Sequence, residues 1–504
     1  MLIHISMQII AAIIIYLLIM ILIGWYGYKK TASHSDYTLG GRGLSPGVAA
    51  LSAGASDMSG WLMLALPGSM YLTGLGAGWL ALGLIIGAYL NWIFLAPRLR
   101  TYTETANNSI TIPAFLENRF IDSTKLLRIL SGLIIIFFFT IYVSSGMVSG
   151  GRVFDSLLGI DYHISLLIVA GVTILYTLFG GFLAVSWTDV VQGGTMMLAL
   201  LLVPIFALAE VGGVTTTFDQ VRSIDPQLLD IFRGVTVVTI IGSLAWGLGY
   251  FGQPHIIVRF MALRTAREAK PARRIGMAWM ILSIVGAMMT GLVGRAYLNN
   301  EGIFLNPDNE SQHETVFVVL GEMLFHPFII GFIFSAILAA VMSTISSQLL
   351  VTSSSLTEDL YKTFLKRKPG DRELIFLGRG AVLVVALIAL ALSWNPDSSI
   401  LELVSYAWAG FGAAFGPVML LSLYWKGMTR WGALAGMLSG AVMVIVWANT
   451  NLYQLLGMNE RVYELLPGFM IAALMIVIVS KFTKNDQRVD QGFKEFKEEL
   501  KAIK

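Results

Sequence analysis

A single acidic residue lies inside an otherwise uncharged apolar segment near the start of the chain. Asp57 falls within Ser45–Met70, which is long enough to cross a bilayer. A charged side chain at that depth costs about 2.5–3.5 kcal/mol on insertion scales, so it persists where it has a partner. The glycines and serines around Asp57 weaken the helix at the same point. Membrane transporters build ion sites from broken apolar helices of this kind; the alternative is a carboxylate paired with a basic residue elsewhere in a helix bundle.

Two hydroxyl side chains in a later apolar segment could complete such an ion site. Ser343 and Thr344 lie in Ser335–Ser347, where small residues recur on one helical face and allow close helix approach. A hard cation such as sodium prefers about five or six oxygen ligands, and these hydroxyls with carbonyls freed at Ala55 and Met58 would nearly suffice. The alternative is that each hydroxyl bonds the carbonyl four residues back in its own helix.

A second interrupted segment carries aromatic residues. Trp246–Pro254 contains three glycines and a proline, with Trp246, Tyr250 and Pro254 at every fourth position. A helix broken in mid-membrane exposes N–H groups, which suit a carboxylate, and carbonyls, which suit a hard cation. Trp246 and Tyr250 would add aromatic walls for an apolar ring or a cationic amine, unless they are ordinary helix packing.

Another acidic residue, Asp189, follows Gly180–Thr188 and opens the next apolar stretch. It could be a residue of an inner gate or a charge at a helix N-terminus. His255 and Arg259 follow the second interrupted segment and could pair with acidic residues of the inner face, and we assign them no chemistry.

The composition places these residues in a membrane protein. Of the 504 residues, 56% are hydrophobic and 13% are charged, and the mean hydropathy is +0.74, whereas soluble domains carry about 25% charged residues. We predict thirteen spans of about 20 residues, the length that a bilayer requires. They centre near Ile15, Ala55, Leu84, Phe137, Val172, Leu200, Ile240, Ile284, Ile337, Val385, Phe411, Met437 and Ala473.

The distribution of basic residues predicts the orientation of these spans. With thirteen spans and an outer N-terminus, 29 of the 34 Lys and Arg residues fall on the inner connections. This asymmetry agrees with the positive-inside rule. The first span has Lys29 and Lys30 after it and no basic residue before it, the reverse of a secretory signal, so we expect it to be retained. The C-terminus is then cytoplasmic.

The two interrupted segments indicate an inverted repeat. They belong to the second and seventh spans, and an offset of five spans reverses orientation, as such a repeat requires. We predict one transmembrane domain over residues 1–481, with repeats at about 45–211 and 235–425. The cytoplasmic tail, 482–504, has Phe493, Phe496 and Leu500 at helical spacing. This pattern is typical of an amphipathic helix on the inner membrane face, although a solvated tail fits equally well.

Other classes of protein lack support in the sequence. There is no P-loop, and the six histidines show no metal-ligand spacing, so we expect a protein that is not an enzyme. The net charge of +3 is too small to indicate nucleic-acid binding, and no obligate protein partner is evident. The absence of cysteine excludes disulfides. Energy for uphill transport would then come from an ion gradient.

Several of these segments closely resemble the sodium:solute symporter family, and within it the branch that transports proline. The resemblance is carried by Leu51–Trp61, Gly180–Gln192, Trp246–Pro254 and Ser335–Thr344, and extends from about Tyr26 to Phe482. It implies an all-α polytopic fold of thirteen transmembrane helices with a five-plus-five inverted repeat of the leucine-transporter type. It also implies electrogenic cotransport of sodium with L-proline across a bacterial plasma membrane.

The resemblance also implies roles for individual residues in ion binding. Sodium would bind the carbonyls of Ala55, Met58 and Ala340 and the hydroxyls of Ser343 and Thr344. Two acidic residues would assist, one in sodium coupling and one on the inner exit path of the ion: Asp57 and Asp189.

For the substrate, the resemblance implies a pocket between the two broken helices. Ser59 and Gly60 would lie close to ion and substrate. The pocket for L-proline would be shaped by Trp246, Tyr250 and Pro254, with Tyr142 from the fourth span facing it.

Three alternatives to sodium-coupled proline uptake stay open at this point. The cargo could be another small zwitterion. The ion could be a proton, which a carboxylate site would suit, although the hydroxyl pair favours sodium. A membrane sensor or a channel on the same scaffold is the third, but a sensor needs a signalling domain, for which 482–504 is too short.

Overall fold

The structure is a computed structural model that describes residues 6–232, 234–306, 310–365, 367–396 and 400–503. In these ranges the regular structure is helical, apart from one isolated bridge between Leu44 and Leu263. The first twelve α-helices are α1 (Met7–Lys30), α2 (His34–Leu39), α3 (Pro46–Asp57), α4 (Leu66–Thr73), α5 (Gly78–Phe94), α6 (Ala96–Thr105), α7 (Ile112–Phe120), α8 (Leu126–Leu158), α9 (Tyr162–Val211), α10 (Val214–Ile224), α11 (Val237–Ala245) and α12 (Pro254–Met261).

The remaining α-helices are α13 (Ala269–Asn300), α14 (Glu310–His313), α15 (Val316–Leu324), α16 (Pro327–Ser354), α17 (Lys362–Phe364), α18 (Asp371–Leu392), α19 (Ile400–Tyr424), α20 (Arg430–Asn449), α21 (Leu452–Leu455), α22 (Leu465–Phe482) and α23 (Gln487–Ile503). Tighter 3₁₀ turns or wider π turns connect several of them, at Gly40–Arg42, Trp61–Ala65, Gly74–Ala77, Pro226–Leu229, Trp246–Gly252, Ala266–Glu268 and Ser355–Tyr361.

Ten helical stretches in the described ranges are long and apolar enough to cross a membrane. They contain eleven of the thirteen predicted span centres, because α9 holds two, on either side of a bend at Gly181, where φ is +60°. The other two centres, Ala55 and Ile240, lie in shorter helices next to the predicted interruptions. The multi-pass helical class is confirmed, and the count of thirteen crossings stays a prediction.

The first interruption lies where the sequence predicts it. Ser45 caps α3, and Pro46 occupies its first position, where a missing N–H costs nothing. The helix ends at Asp57, and Met58 leaves the helical conformation with φ −80° and ψ 86°. A π turn then leads into α4. The carboxylate therefore stands at the end of a broken helix inside the protein.

The second interruption is also confirmed. Helix α11 ends at Ala245, and Trp246–Gly252 continues as a 3₁₀ segment. Gln253 is extended, and Pro254 begins α12. A Cβ on Gly252 would collide with the backbone of α19, so the missing side chain lets this segment pack closely against that helix.

Helix α16 lies at the centre of the bundle. It packs against α1, α3, α8 and α9, and its residues from Ile333 to Leu350 are all buried. Small side chains on this helix permit the close approach that the sequence predicted. The hydroxyls of Ser343 and Thr344 are thereby held between helices.

The C-terminal tail forms a helix, α23, whose apolar face packs on the protein. Phe496 stacks on Tyr102 of α6 with 4.1 Å between ring centroids, and Phe493 lies below the guanidinium of Arg119. The predicted amphipathic helix is present, but its apolar face packs against α6 and α7 and, contrary to the expectation from the sequence, is not free to enter the inner membrane face.

Candidate ion and substrate site

Oxygen atoms from two helices meet beside the first break. The Ser343 hydroxyl on α16 donates to the Ala55 carbonyl on α3 at 2.7 Å. The hydroxyls of Ser343 and Thr344 each lie 3.2 Å from the Ala340 carbonyl in their own helix. All four residues are buried. The Thr344 hydroxyl bonds within its own helix, as the alternative interpretation expects. The Ser343 hydroxyl also bonds α3, so four of the five predicted sodium ligands lie together.

The fifth predicted ligand belongs to the break itself. Met58 is fully buried, and its non-helical backbone turns its carbonyl out of the helical series. The predicted set therefore consists of neutral hydroxyl and carbonyl oxygens, a donor set that suits a hard cation.

Asp57 joins the two broken segments. The Tyr250 hydroxyl donates to Asp57 Oδ2 at 2.5 Å, and both residues are buried. In the described part of the chain no basic side chain forms an ion pair with Asp57. A buried carboxylate without a basic partner favours the arrival of a cation.

A narrow pocket with a cavity volume of about 10 Å³ lies beside Asp57. We call it the central pocket. Its polar and aromatic lining consists of Asp57, Trp61, Tyr142, Trp246 and Trp408, and its aliphatic lining of Leu80, Leu84 and Val404. The Tyr142 hydroxyl is buried and has no hydrogen-bond partner among the described residues, so it can bind a ligand.

Four predicted substrate residues do not line the central pocket. One of them, Tyr250, lines a neighbouring pocket together with Asp57. The other three lie within the breaks or beyond them. Ser59 is buried within the break, where its N–H donates to the Asp57 carbonyl at 3.0 Å. Gly60 faces α8 and α16, because a Cβ there would meet the Ser149 hydroxyl. Pro254 lines a different pocket, next to α7. Of these three, Ser59 and Gly60 share the break with Asp57, whereas Pro254 is set apart.

Asp189 lies in a separate buried network. Its Oδ2 accepts a hydrogen bond from the Ser52 hydroxyl at 2.6 Å and forms an ion pair with the Arg259 guanidinium at 3.2 Å. Arg259 also donates to the Ser347 hydroxyl at 2.6 Å. These four residues come from α3, α9, α12 and α16, so one guanidinium ties both broken helices to their neighbours. The sequence suggested an acidic partner for Arg259 without identifying it.

Trp61 and Trp408 are pocket residues that the sequence analysis missed. Trp61 directly follows the predicted break and could have been included on that ground. Trp408 lies in an apolar span whose one charge, Glu402, is near its start and whose proline, Pro417, lies nine residues further on, so no local signal distinguishes it from packing.

Comparisons with known proteins identify the family. The family model described as the sodium:solute symporter family matches residues 37–440. The high-affinity proline transporter PutP of Bacillus subtilis is 59% identical over 482 residues, which cover 95% of this chain and all of the relative. The chain belongs to the sodium:solute symporter family. It is therefore a membrane transporter and not an enzyme.

Further relatives agree with this assignment. The osmoregulated proline transporter OpuE of Bacillus subtilis is 57% identical to this family member, over 95% of the chain and 96% of the relative. Sodium/proline symporter 2 of Staphylococcus saprophyticus is 51% identical, over 95% of the chain and 94% of the relative.

Two solved structures share the fold. A sodium-coupled sialic acid symporter in an outward-open state has a TM-score of 0.79 at 21% identity, over 96% of this chain and 99% of the other. The nucleobase-cation symporter Mhp1 has a TM-score of 0.55 at 14% identity, over 92% and 99%. At such identities, the likeness concerns the fold alone.

Proposed function

We propose that this symporter couples the inward flow of sodium to the uptake of L-proline by alternating access. One observation carries the proposal: the Ser343 hydroxyl meets the Ala55 carbonyl at the break that also presents Asp57 to an aromatic pocket. The oxygen cluster suits sodium, and the pocket suits a compact ring. The relatives named above support proline as the cargo.

For the ion, we propose the five oxygen ligands of Ala55, Met58, Ala340, Ser343 and Thr344. Four of them already lie together. The negative charge of Asp57 attracts the ion to this site, and the carboxylate need not coordinate the ion directly. Asp189 acts later, on the inner exit path.

For the substrate, the central pocket provides the site. Tyr142 and Trp246 line it, and Tyr250 holds Asp57 at its edge. A zwitterion would direct its carboxylate to amides freed at the breaks, its ring to the aromatic walls and its ammonium to Asp57. Ser59 and Gly60 lie next to the proposed ion site, within the first break. Pro254 lies at the far end of the second broken segment and shapes the segment from there.

The transport cycle follows from where the ion binds. Sodium between α3 and α16 ties the first broken helix to the centre of the bundle and thereby assembles the pocket. Proline then binds, and closure followed by inward opening releases both ligands. Linkage requires sodium to raise proline affinity by the same factor with which proline raises sodium affinity.

We infer thirteen crossings in the plasma membrane of a bacterium, with the N-terminus outside and the C-terminus cytoplasmic. The core would be a five-plus-five inverted repeat over about 45–211 and 235–425. The two breaks at matching positions of the repeats and the concentration of basic residues on alternate connections support this topology.

Uptake of radiolabelled L-proline into proteoliposomes tests the proposal. We expect accumulation with an inward sodium gradient and none with a proton gradient alone. Ser343→Ala should raise the sodium concentration for half-maximal uptake about tenfold, because one oxygen ligand worth about 1.4 kcal/mol is lost. Ser335→Ala is the matched control, since its hydroxyl bonds the Gly331 carbonyl within α16.

The possible outcomes separate the alternatives. Uptake driven by protons alone would contradict sodium coupling. Sodium-dependent uptake of another zwitterion in place of proline would contradict the cargo. An equal effect of the two serine variants would contradict the ion site.

A further inference from the structure

One wall of the central pocket comes from α19, which contains none of the predicted site residues. Trp408 provides this wall and is 2% exposed. Its indole meets the Tyr250 ring edge-to-face at 5.1 Å and lies nearly parallel to Trp246 at 6.3 Å. Three aromatic rings therefore surround one side of the space next to Asp57.

Hydrogen bonds hold Trp408 at both ends. Its indole Nε1 donates to the Trp246 carbonyl at 2.9 Å, and its own carbonyl accepts from the Gln253 side chain at 3.0 Å. Both partners belong to the second interruption. A tryptophan fixed in this way cannot change rotamer to admit a larger ligand without breaking a hydrogen bond in a buried place.

The backbone of the interruption makes room for this indole. A Cβ on Gly249 would collide with the Trp408 ring, so a glycine is needed for the ring to lie flat against the segment. The indole is pressed between the Gly249 backbone and the pocket.

We propose that Trp408 is a specificity-determining residue that limits the ring size of the substrate. It forms a rigid stop at one end of the central pocket, and Gly249 sets the position of that stop. This inference rests on the proposed function, since it concerns the same pocket. The pocket must widen to admit a ring, and the fixed indole limits that widening, so a five-membered ring is favoured over a ring enlarged by one methylene.

The test compares uptake of L-proline with that of L-pipecolate, its six-membered-ring homologue. One methylene is worth roughly 10–200-fold in an apolar pocket, and we expect the wild type to prefer proline within that range. Trp408→Phe shortens the wall and should lower the preference about tenfold. Trp408→Leu should lower it further, while the sodium concentration for half-maximal uptake stays unchanged in both.

Two further variants distinguish a size limit from general damage. Gly249→Ala pushes the indole into the pocket, so it should raise the proline KM and exclude pipecolate more strictly, the opposite direction from Trp408→Phe. Trp25→Leu, on the exposed side of α1 (56% exposed), is the control and should leave the preference unchanged.

The uptake of proline and pipecolate by these variants either supports or overturns the size limit. A parallel fall in proline and pipecolate uptake with an unchanged ratio in Trp408→Phe would overturn the inference. Loss of all transport in both Trp408 variants with normal membrane insertion would also overturn it, because a size limit is not required for transport. A wild type that accumulates neither compound would overturn the proposed function instead.

Discussion

Asp57 and Asp189, two of the buried aspartates, differ in their surroundings. Asp57 accepts a hydrogen bond from the neutral Tyr250 hydroxyl and borders the central pocket. Asp189 is enclosed by the Ser52 hydroxyl and the Arg259 guanidinium. The first carboxylate has no basic partner in the described ranges, whereas the second is paired within the fold.

This difference separates a site that needs a mobile cation from one that already contains a fixed cation. An uncompensated charge in a membrane core is costly until an ion arrives, so Asp57 is suited to attract sodium. A compensated pair costs desolvation but holds helices in register, so Asp189 and Arg259 are suited to fix the packing of the helices that carry them. The comparison predicts opposite effects of charge removal at the two places.

The largest expected effect on transport is that of Asp57→Asn. At about 5 Å and an effective dielectric constant of about 20, the carboxylate attracts sodium by about 3 kcal/mol, so sodium affinity should fall roughly 100-fold. The melting temperature of the purified protein should stay equal or rise, because an unpaired buried charge is removed. Uptake at graded sodium concentrations and a thermal melt check both parts. A strong loss of stability would contradict the view that Asp57 is uncompensated.

At the other aspartate, Arg259→Met should act mainly on stability. It leaves Asp189 buried without its partner, and breaking a buried pair costs about 3–5 kcal/mol. The double variant Arg259→Met with Asp189→Leu removes both charges and should recover most of the melting temperature. If the double variant were no more stable than Arg259→Met alone, the two groups would not act as a pair.

The smallest effects come from the two tyrosines next to Asp57. Tyr250→Phe removes a hydrogen bond to a charged group, worth about 1.5–3 kcal/mol, and should raise the proline KM about tenfold. Tyr142→Phe removes a hydroxyl without a partner in the described part of the protein, so the loss is confined to a bond with a charged group of the substrate, about 1.5 kcal/mol. We expect a roughly tenfold increase in KM here as well. An unchanged KM in the Tyr142 variant would show that its hydroxyl does not contact the substrate.

Much of the architecture could be predicted because its causes are local. Apolar length and the scarcity of charge indicate a membrane protein, and glycine, serine and proline mark both interruptions near Asp57 and Tyr250. A hydroxyl pair on a helix of small residues pointed to the cluster of buried oxygen atoms. Helix-breaking residues act on the backbone that carries them, so a single sequence reveals where the helices end.

Only the tertiary structure decided which segments that are distant in sequence come into contact. Ser343 and Ala55 are 288 positions apart, and nothing in their local pattern states that they touch. The partner of Asp189 and the indole of Trp408 are likewise fixed by how four or more helices pack. Pro254 shows the converse. The resemblance implied that it shapes one pocket with Tyr250, but a 3₁₀ segment and an extended Gln253 place it beside a different pocket. The sequence by itself determined the membrane class, the breaks and the buried charge, because these depend on neighbouring residues; helix packing decided which groups meet, because contact depends on the whole bundle.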